Sequence, residues 1–116
     1  MEQVNVVPRL SPGICPVTDT FAFIGSKWTP LVLVQLHFGP RRFGELYQSL
    51  PGISPKTLAD RLQSMEEQGL LTRTVYPDRP PRVEYALTDR GVELGGLVRS
   101  IADWARATPL AAVGAG

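Results

Sequence analysis

Thiols and imidazoles are almost absent from this chain: Cys15 and His37 are each the only residue of their kind among 116. A lone cysteine excludes an intrachain disulfide, and one Cys with one His leaves too few soft ligands for a structural zinc site. The familiar catalytic groupings are missing as well. No His-Glu-x-x-His pattern and no glycine-rich phosphate loop occurs, so no catalytic residue, metal or cofactor is expected and an enzyme is disfavoured. Excess charge is also lacking. Twelve Lys and Arg face 11 Asp and Glu, leaving a formal charge of +1, whereas a dedicated nucleic-acid binder is often strongly basic. Any argument for such binding must therefore rest on where the cations sit. No apolar run approaches the roughly 20 residues that span a bilayer. The opening MEQVNVVPRL lacks the basic and apolar regions of a signal peptide. A cytoplasmic protein without membrane contact is the expectation.

What is present points to one folded domain. A hydrophobic fraction of 43% with 20% charged residues argues against disorder throughout, and the length suits a single core. Pro8 and Pro12 mark residues 1–13 as a flexible arm. Val17, Phe21 and Ile24 recur at helical spacing and stop at Gly25. Thr29-Pro30 reads as an N-cap and first-turn pair opening LVLVQLHF, a helix apolar almost all round and so expected at the domain's centre. It stops at Gly39-Pro40. Phe43, Leu46, Tyr47 and Leu50 make a short third helix closed by Pro51-Gly52. Ser54-Pro55 repeats the cap signal and starts a fourth, running to about Gln68 before Gly69. Strands are predicted over Leu71–Tyr76 and Val83–Leu87, with the proline-rich Pro77–Arg82 as hairpin tip. Thr88 caps a last helix whose apolar stripe runs through Leu94, Leu97, Val98, Ile101, Trp104 and Ala105. Residues 108–116 are expected to be a disordered tail, which leaves 14–107 as the folded domain.

Two short helices joined by a Pro-Gly turn and followed by a hairpin describe a winged helix-turn-helix: mainly α with a small β-hairpin, and here with an extra helix at each end. In that fold the second helix of the pair enters the DNA major groove by its N-terminal turns. With Leu58, Leu62 and Met65 facing inward, steps of about 100° place Lys56, Thr57, Asp60 and Ser64 outward and Arg61 on the flank. Lys and Arg can donate to guanine O6/N7; Arg61 is the best candidate for base readout and Lys56 suits a base or a phosphate, while Thr57 suits a base or a thymine methyl and Asp60 either accepts from cytosine N4 or orients Arg61. Ser54, Arg41, Arg42, Arg79, Arg82 and, more weakly, Lys27 are candidates for phosphate or wing contacts, which position a protein without reading sequence. Taken alone, each cation also fits a solvated surface.

Five blocks sharpen the reading: Cys15-Pro16, Gly25-Ser26-Lys27-Trp28, GPRRFGEL, GISPKTLADRLQSMEEQGLL and YPDRPPRVEYALTDRG. In order and spacing they resemble the HxlR-type family of bacterial transcriptional regulators, from about Ile14 to Trp104. Ser26 stands between Gly25 and Lys27 at a place where that family varies. The resemblance implies a homodimer that binds a double-stranded operator, often near its own or an adjacent gene, with Ser54–Gln68 as recognition helix and Pro77–Arg82 as wing. It also implies that Cys15, at a position where a cysteine recurs, is a possible sensor of oxidants or electrophiles. A helix N-terminus would favour its thiolate, although a lone cysteine is more often a small hydrophobe. The terminal stripe gives dimerisation a physical motive, because a small domain cannot easily cover it. Val17, Phe21, Leu97, Ile101 and Trp104 are the expected interface residues, on a pseudopalindromic operator. The alternative is a winged-helix protein-interaction module without DNA binding, favoured only by the near-neutral charge. His37 and Trp28 are expected in or near the core, and no small-molecule effector is identified.

Overall fold

Glycine and proline divide the chain where its elements divide. The computed structural model describes residues 16–110, in the order α1 (Pro16–Ile24), α2 (Thr29–His37), β1 (Arg41–Arg42), α3 (Phe43–Ser49), α4 (Pro55–Glu67), β2 (Leu71–Tyr76), β3 (Arg82–Leu87) and α5 (Asp89–Ala107). Cys15, the arm over 1–13 and most of the tail over 108–116 lie outside the described residues. Mainly helical architecture with one small antiparallel sheet is the fold expected. None of the described helices is long and apolar enough to cross a membrane.

The core forms where apolar faces of α2, α3, α4 and the sheet meet. Val32, Leu33 and Leu36 of α2 pack with Leu46, Leu58, Leu62, Met65, Leu71 and Tyr85, all buried. The inward face expected for α4 is therefore the observed one. Apolar character all round α2 does not mean burial all round, since Leu31 stays exposed on its outer side. Trp28 packs half-buried against the core, and His37 is half-buried beside α5.

Three boundaries differ from expectation. Thr29 is not the cap of α2: it is the first helical residue and almost fully buried. The N-cap position falls on Trp28, whose side chain makes no cap bond, and the Ser26 hydroxyl accepts the Thr29 N–H at 3.3 Å and meets the Thr29 hydroxyl at 2.7 Å. A buried hydroxyl needs such a partner, and a small polar residue three positions earlier supplies it. The sheet has three strands, ordered β1-β3-β2, rather than two. Arg41 and Arg42 pair with Tyr85 and Glu84 across β3, a bridge too short to show as hydrophobic alternation. Finally, β3 begins at Arg82, which pairs with Tyr76 in register, so the tip is one residue shorter than expected.

One junction sets the angle between α4, the hairpin and α5. Gly69, with φ +75°, ends the α4 segment. The Thr88 hydroxyl donates to Gly69 O at 2.6 Å and accepts the Gly91 N–H at 3.1 Å, capping α5 as expected. Thr88 N–H donates to Leu70 O at 3.0 Å. Arg90 Nη1 donates to Gln68 O at 2.9 Å, satisfying a carbonyl at the C-terminal end of α4. The two backbones approach so closely that a Cβ on Gly91 would lie 2.0 Å from Leu70 O. One turn on, a Cβ on Gly95 would lie 2.9 Å from His37 Cδ2. Small residues at 91 and 95 thus let α5 lie against the β2 entry and the end of α2.

Candidate nucleic-acid interface

The turn between α3 and α4 presents the N-terminal end of α4 outward. Leu50 closes α3, Ile53 N–H donates to Leu50 O at 3.1 Å, and Gly52 takes φ +94°, a conformation that costs a residue with a Cβ. Ile53 is buried beneath the turn. Ser54 then caps α4, its Oγ accepting the Thr57 N–H at 3.0 Å. Its hydroxyl proton goes to Thr57 Oγ1 at 2.8 Å. Thr57 keeps its own hydroxyl proton to donate outward.

The outer face of α4 carries the groove candidates together. Lys56 and Asp60 are exposed and paired, Nζ to Oδ2 at 3.1 Å. Asp60 therefore holds Lys56 and not Arg61, against one of the two roles expected for it. The reason is helical geometry, since residues four apart share a face and adjacent ones diverge by about 100°. Arg61 is half-buried on the flank and forms no ion pair among the described residues. Further along, Gln63 Nε2 donates to Glu67 Oε2 at 3.3 Å. The last turns of α4 thus present Glu66 and Glu67, so the cationic end is the N-terminal one.

The wing and β1 add a second cluster. Arg42, Arg79 and Arg82 line a cleft between the N-terminus of α3 and the hairpin tip, with Asp78 at its edge. Within it the arginines differ. Arg82 is drawn inward: Nε reaches Asp78 Oδ2 at 3.0 Å, Nη1 reaches Glu84 Oε2 at 2.9 Å, and the guanidinium stacks 4.2 Å from the Tyr76 ring centre. Arg79 is exposed at the tip with no ion pair among the described residues. Arg42 is exposed, and its backbone N–H is taken by Glu45 Oε1 at 2.8 Å, which fixes the start of α3. Arg41 is half-buried and donates from Nη1 to Pro40 O at 3.0 Å. Lys27 lies 4.9 Å above the Trp28 ring. That ring borders the turn before α4, where a Cβ on Gly52 would meet it at 3.8 Å.

Two arginines beside α4 escaped sequence reasoning. Arg73 on β2 shares a concavity with Gln63 and Glu66 of α4; no sequence signal separates it from any exposed strand cation. Arg90 holds the far end of α4, and only the fold brings it to Gln68.

The terminal helices carry a separate set of exposed residues. Val17 and Phe21 of α1 and Leu97, Ile101 and Trp104 of α5 are all exposed in the single chain, Leu97 by 63% and Trp104 by 60%. Phe21, Ile24, Leu97, Ile101 and Trp104 line an apolar groove of about 440 Å³.

A helix pair, a wing and an outward cationic end describe a helix-turn-helix regulator, and sequence comparison supplies the family. Residues 23–110 match the model of the HxlR-like helix-turn-helix family. The chain belongs to that family. An HTH-type transcriptional regulator of Synechocystis sp. is 47% identical over 95 residues, 81% of this chain and 70% of the relative. Among solved structures, a MarR family transcriptional regulator of Porphyromonas gingivalis is 36% identical with a TM-score of 0.79, covering 88% of this chain and 99% of its own. The redox regulator HypR in its oxidized form is 33% identical with a TM-score of 0.76, covering 84% and 100%. A helix-turn-helix transcriptional regulator is the reading that family, fold and surface share for this HxlR-like chain.

Proposed function

We propose that the protein regulates transcription as a homodimer that binds a pseudopalindromic double-stranded operator. The observation that carries the reading is the outward N-terminal end of α4, capped at Ser54 and carrying the exposed Lys56 and Asp60, with the Arg42–Arg79 cleft beside the wing as a second cationic surface. Lys56, Thr57, Asp60 and Arg61 are assigned to base edges. Arg41, Arg42, Arg79 and the capped N-terminus at Ser54 are assigned to phosphates, with Lys27 a weaker contributor. Arg82 acts within the wing, since its guanidinium is already engaged by two carboxylates and a ring.

The exposed stripe of α1 and α5 supports the dimer, because an apolar surface of this kind is unusual on a monomer. Two-fold symmetry then spaces two α4 helices by about one DNA turn, roughly 34 Å. A gel shift against the DNA upstream of its own gene, run across salt concentrations, tests the function. Salt-sensitive binding at a defined site is the expected result. Absence of binding at low salt would favour the interaction module, to which the charge of +1 is the one supporting feature.

Regulation through Cys15 is proposed on its place in the sequence, immediately before α1, and on the likeness to a redox regulator. With no second cysteine in the chain, oxidation would link two Cys15 residues across the dimer or join Cys15 to a small thiol. Operator affinity of Cys15→Ser under diamide decides it. Retained binding by the variant, where the parent loses binding, supports the role; identical responses remove it.

A further inference from the structure

We propose that Asp60 is a specificity-determining residue: it holds Lys56 in a pair that keeps α4 from binding DNA of arbitrary sequence. The pair is released or completed only where a cytosine amine is offered. This rests on α4 being the groove-entering helix.

The Lys56–Asp60 pair contributes little to the helix. It is exposed, with side chains 84% and 52% accessible, and ion pairs so placed stabilise weakly. Its order is also the unfavourable one. Lysine stands in the first turn, where the helix dipole disfavours a cation, and the acid follows four residues later. The first turn of α4 contains no acidic residue at all. A pair selected for stability would run the other way, so helix stability does not explain this order.

The chemistry follows from charge. Lys56 and Arg61 are the only cations on α4. Asp60 cancels one of them, and a carboxylate is repelled by every phosphate whatever the sequence. At one kind of base step the carboxylate is an asset, because it accepts from cytosine N4 while the adjacent ammonium donates to guanine O6 or N7. The pair thus reads a G and a C through partners it already holds together. On other sequences the carboxylate meets acceptors and binding is penalised.

The test uses full-length protein, a 30-base-pair duplex of random sequence, and a consensus selected from a random library with the parent protein. Asp60→Asn is expected to bind random duplex about tenfold tighter per bound protomer near 0.1 M salt, with the salt slope steeper by about one unit per protomer. Its selected consensus is expected to lose a cytosine preference, or to exchange it for adenine, which asparagine reads. The gain on random duplex is expected to be several-fold smaller when Asp60→Asn is added to Lys56→Gln than when it is made in the parent, because the released lysine supplies most of it. Unchanged affinity on random duplex, an unchanged consensus, or a gain of equal size in the parent and Lys56→Gln backgrounds would each overturn the proposal. If the parent itself selects no sequence, it is the assignment of α4 to the groove that fails. Superposable thermal melts establish that the variants are folded.

Discussion

Arg79 and Arg82 stand three residues apart, yet the hairpin gives them opposite employment. Arg82 faces Tyr76 across the strand pair and is bound to Asp78 and Glu84, whereas Arg79 leaves the tip. Arg79→Ala is expected to weaken binding to specific and random duplex alike and to lower the salt slope by about one unit per protomer. Arg82→Ala is expected to weaken binding only through the wing's position, so its effect shrinks in an Arg79→Ala background. Anisotropy titrations of the two single variants and the double variant measure this coupling; additive losses would make Arg82 a direct contact. Arg61→Ala is expected to cost roughly 1–3 kcal/mol on the selected duplex, with little change on random DNA. The outward placement of Lys56 and Asp60 and the flank position of Arg61 were legible from the 3.6-residue period alone. The difference between Arg79 and Arg82 was not, because it depends on a cross-strand register that no local pattern encodes.

At the scale of elements, the recognition unit is held from behind. Ser54 and Gly69 bound the α4 segment where cap chemistry places them, and Leu58, Leu62 and Met65 fill the core as their spacing requires. Those features could be read directly, since each depends on residues within one turn of the other. The cap of α2 depended on burial of Thr29, and β1 on a strand partner more than forty residues away, so neither left a local sign. The same holds for the junction of Leu70 with Gly91. A methyl group at 91 would overlap Leu70 O, and the backbone on each side is pinned by Thr88 and Arg90. Gly91→Ala is therefore expected to destabilise by about 1–3 kcal/mol, as overpacking of a fixed contact does. Leu58→Ala, in the core itself, is expected to cost about 2–5 kcal/mol. Urea unfolding followed by circular dichroism measures both, and a neutral Gly91→Ala would show that the α4–β2 turn shifts freely.

At the scale of the molecule, two sets of exposed residues carry the two proposed roles. α4, β1 and the wing are assigned to nucleic acid, while α1 and α5 expose Phe21, Leu97, Ile101 and Trp104. Small residues at 91 and 95 press α5 against the remainder of the domain, so its outer stripe is displayed on a firm support. Leu97→Glu or Trp104→Glu is expected to shift the protein from dimer to monomer in sedimentation equilibrium at micromolar concentration, with loss of operator affinity. A parent protein that sediments as a monomer would remove the dimer from the account.

The central claim is that DNA lies on α4 and the wing. Backbone amide shifts of the folded protein, followed while the selected duplex is titrated in, test it most directly. The account predicts that the largest changes fall on Ser54–Arg61, Arg41–Arg42 and the tip around Arg79, with α1 and the outer face of α5 quiet. Changes centred on α1 and α5, with α4 undisturbed at saturation, would contradict it.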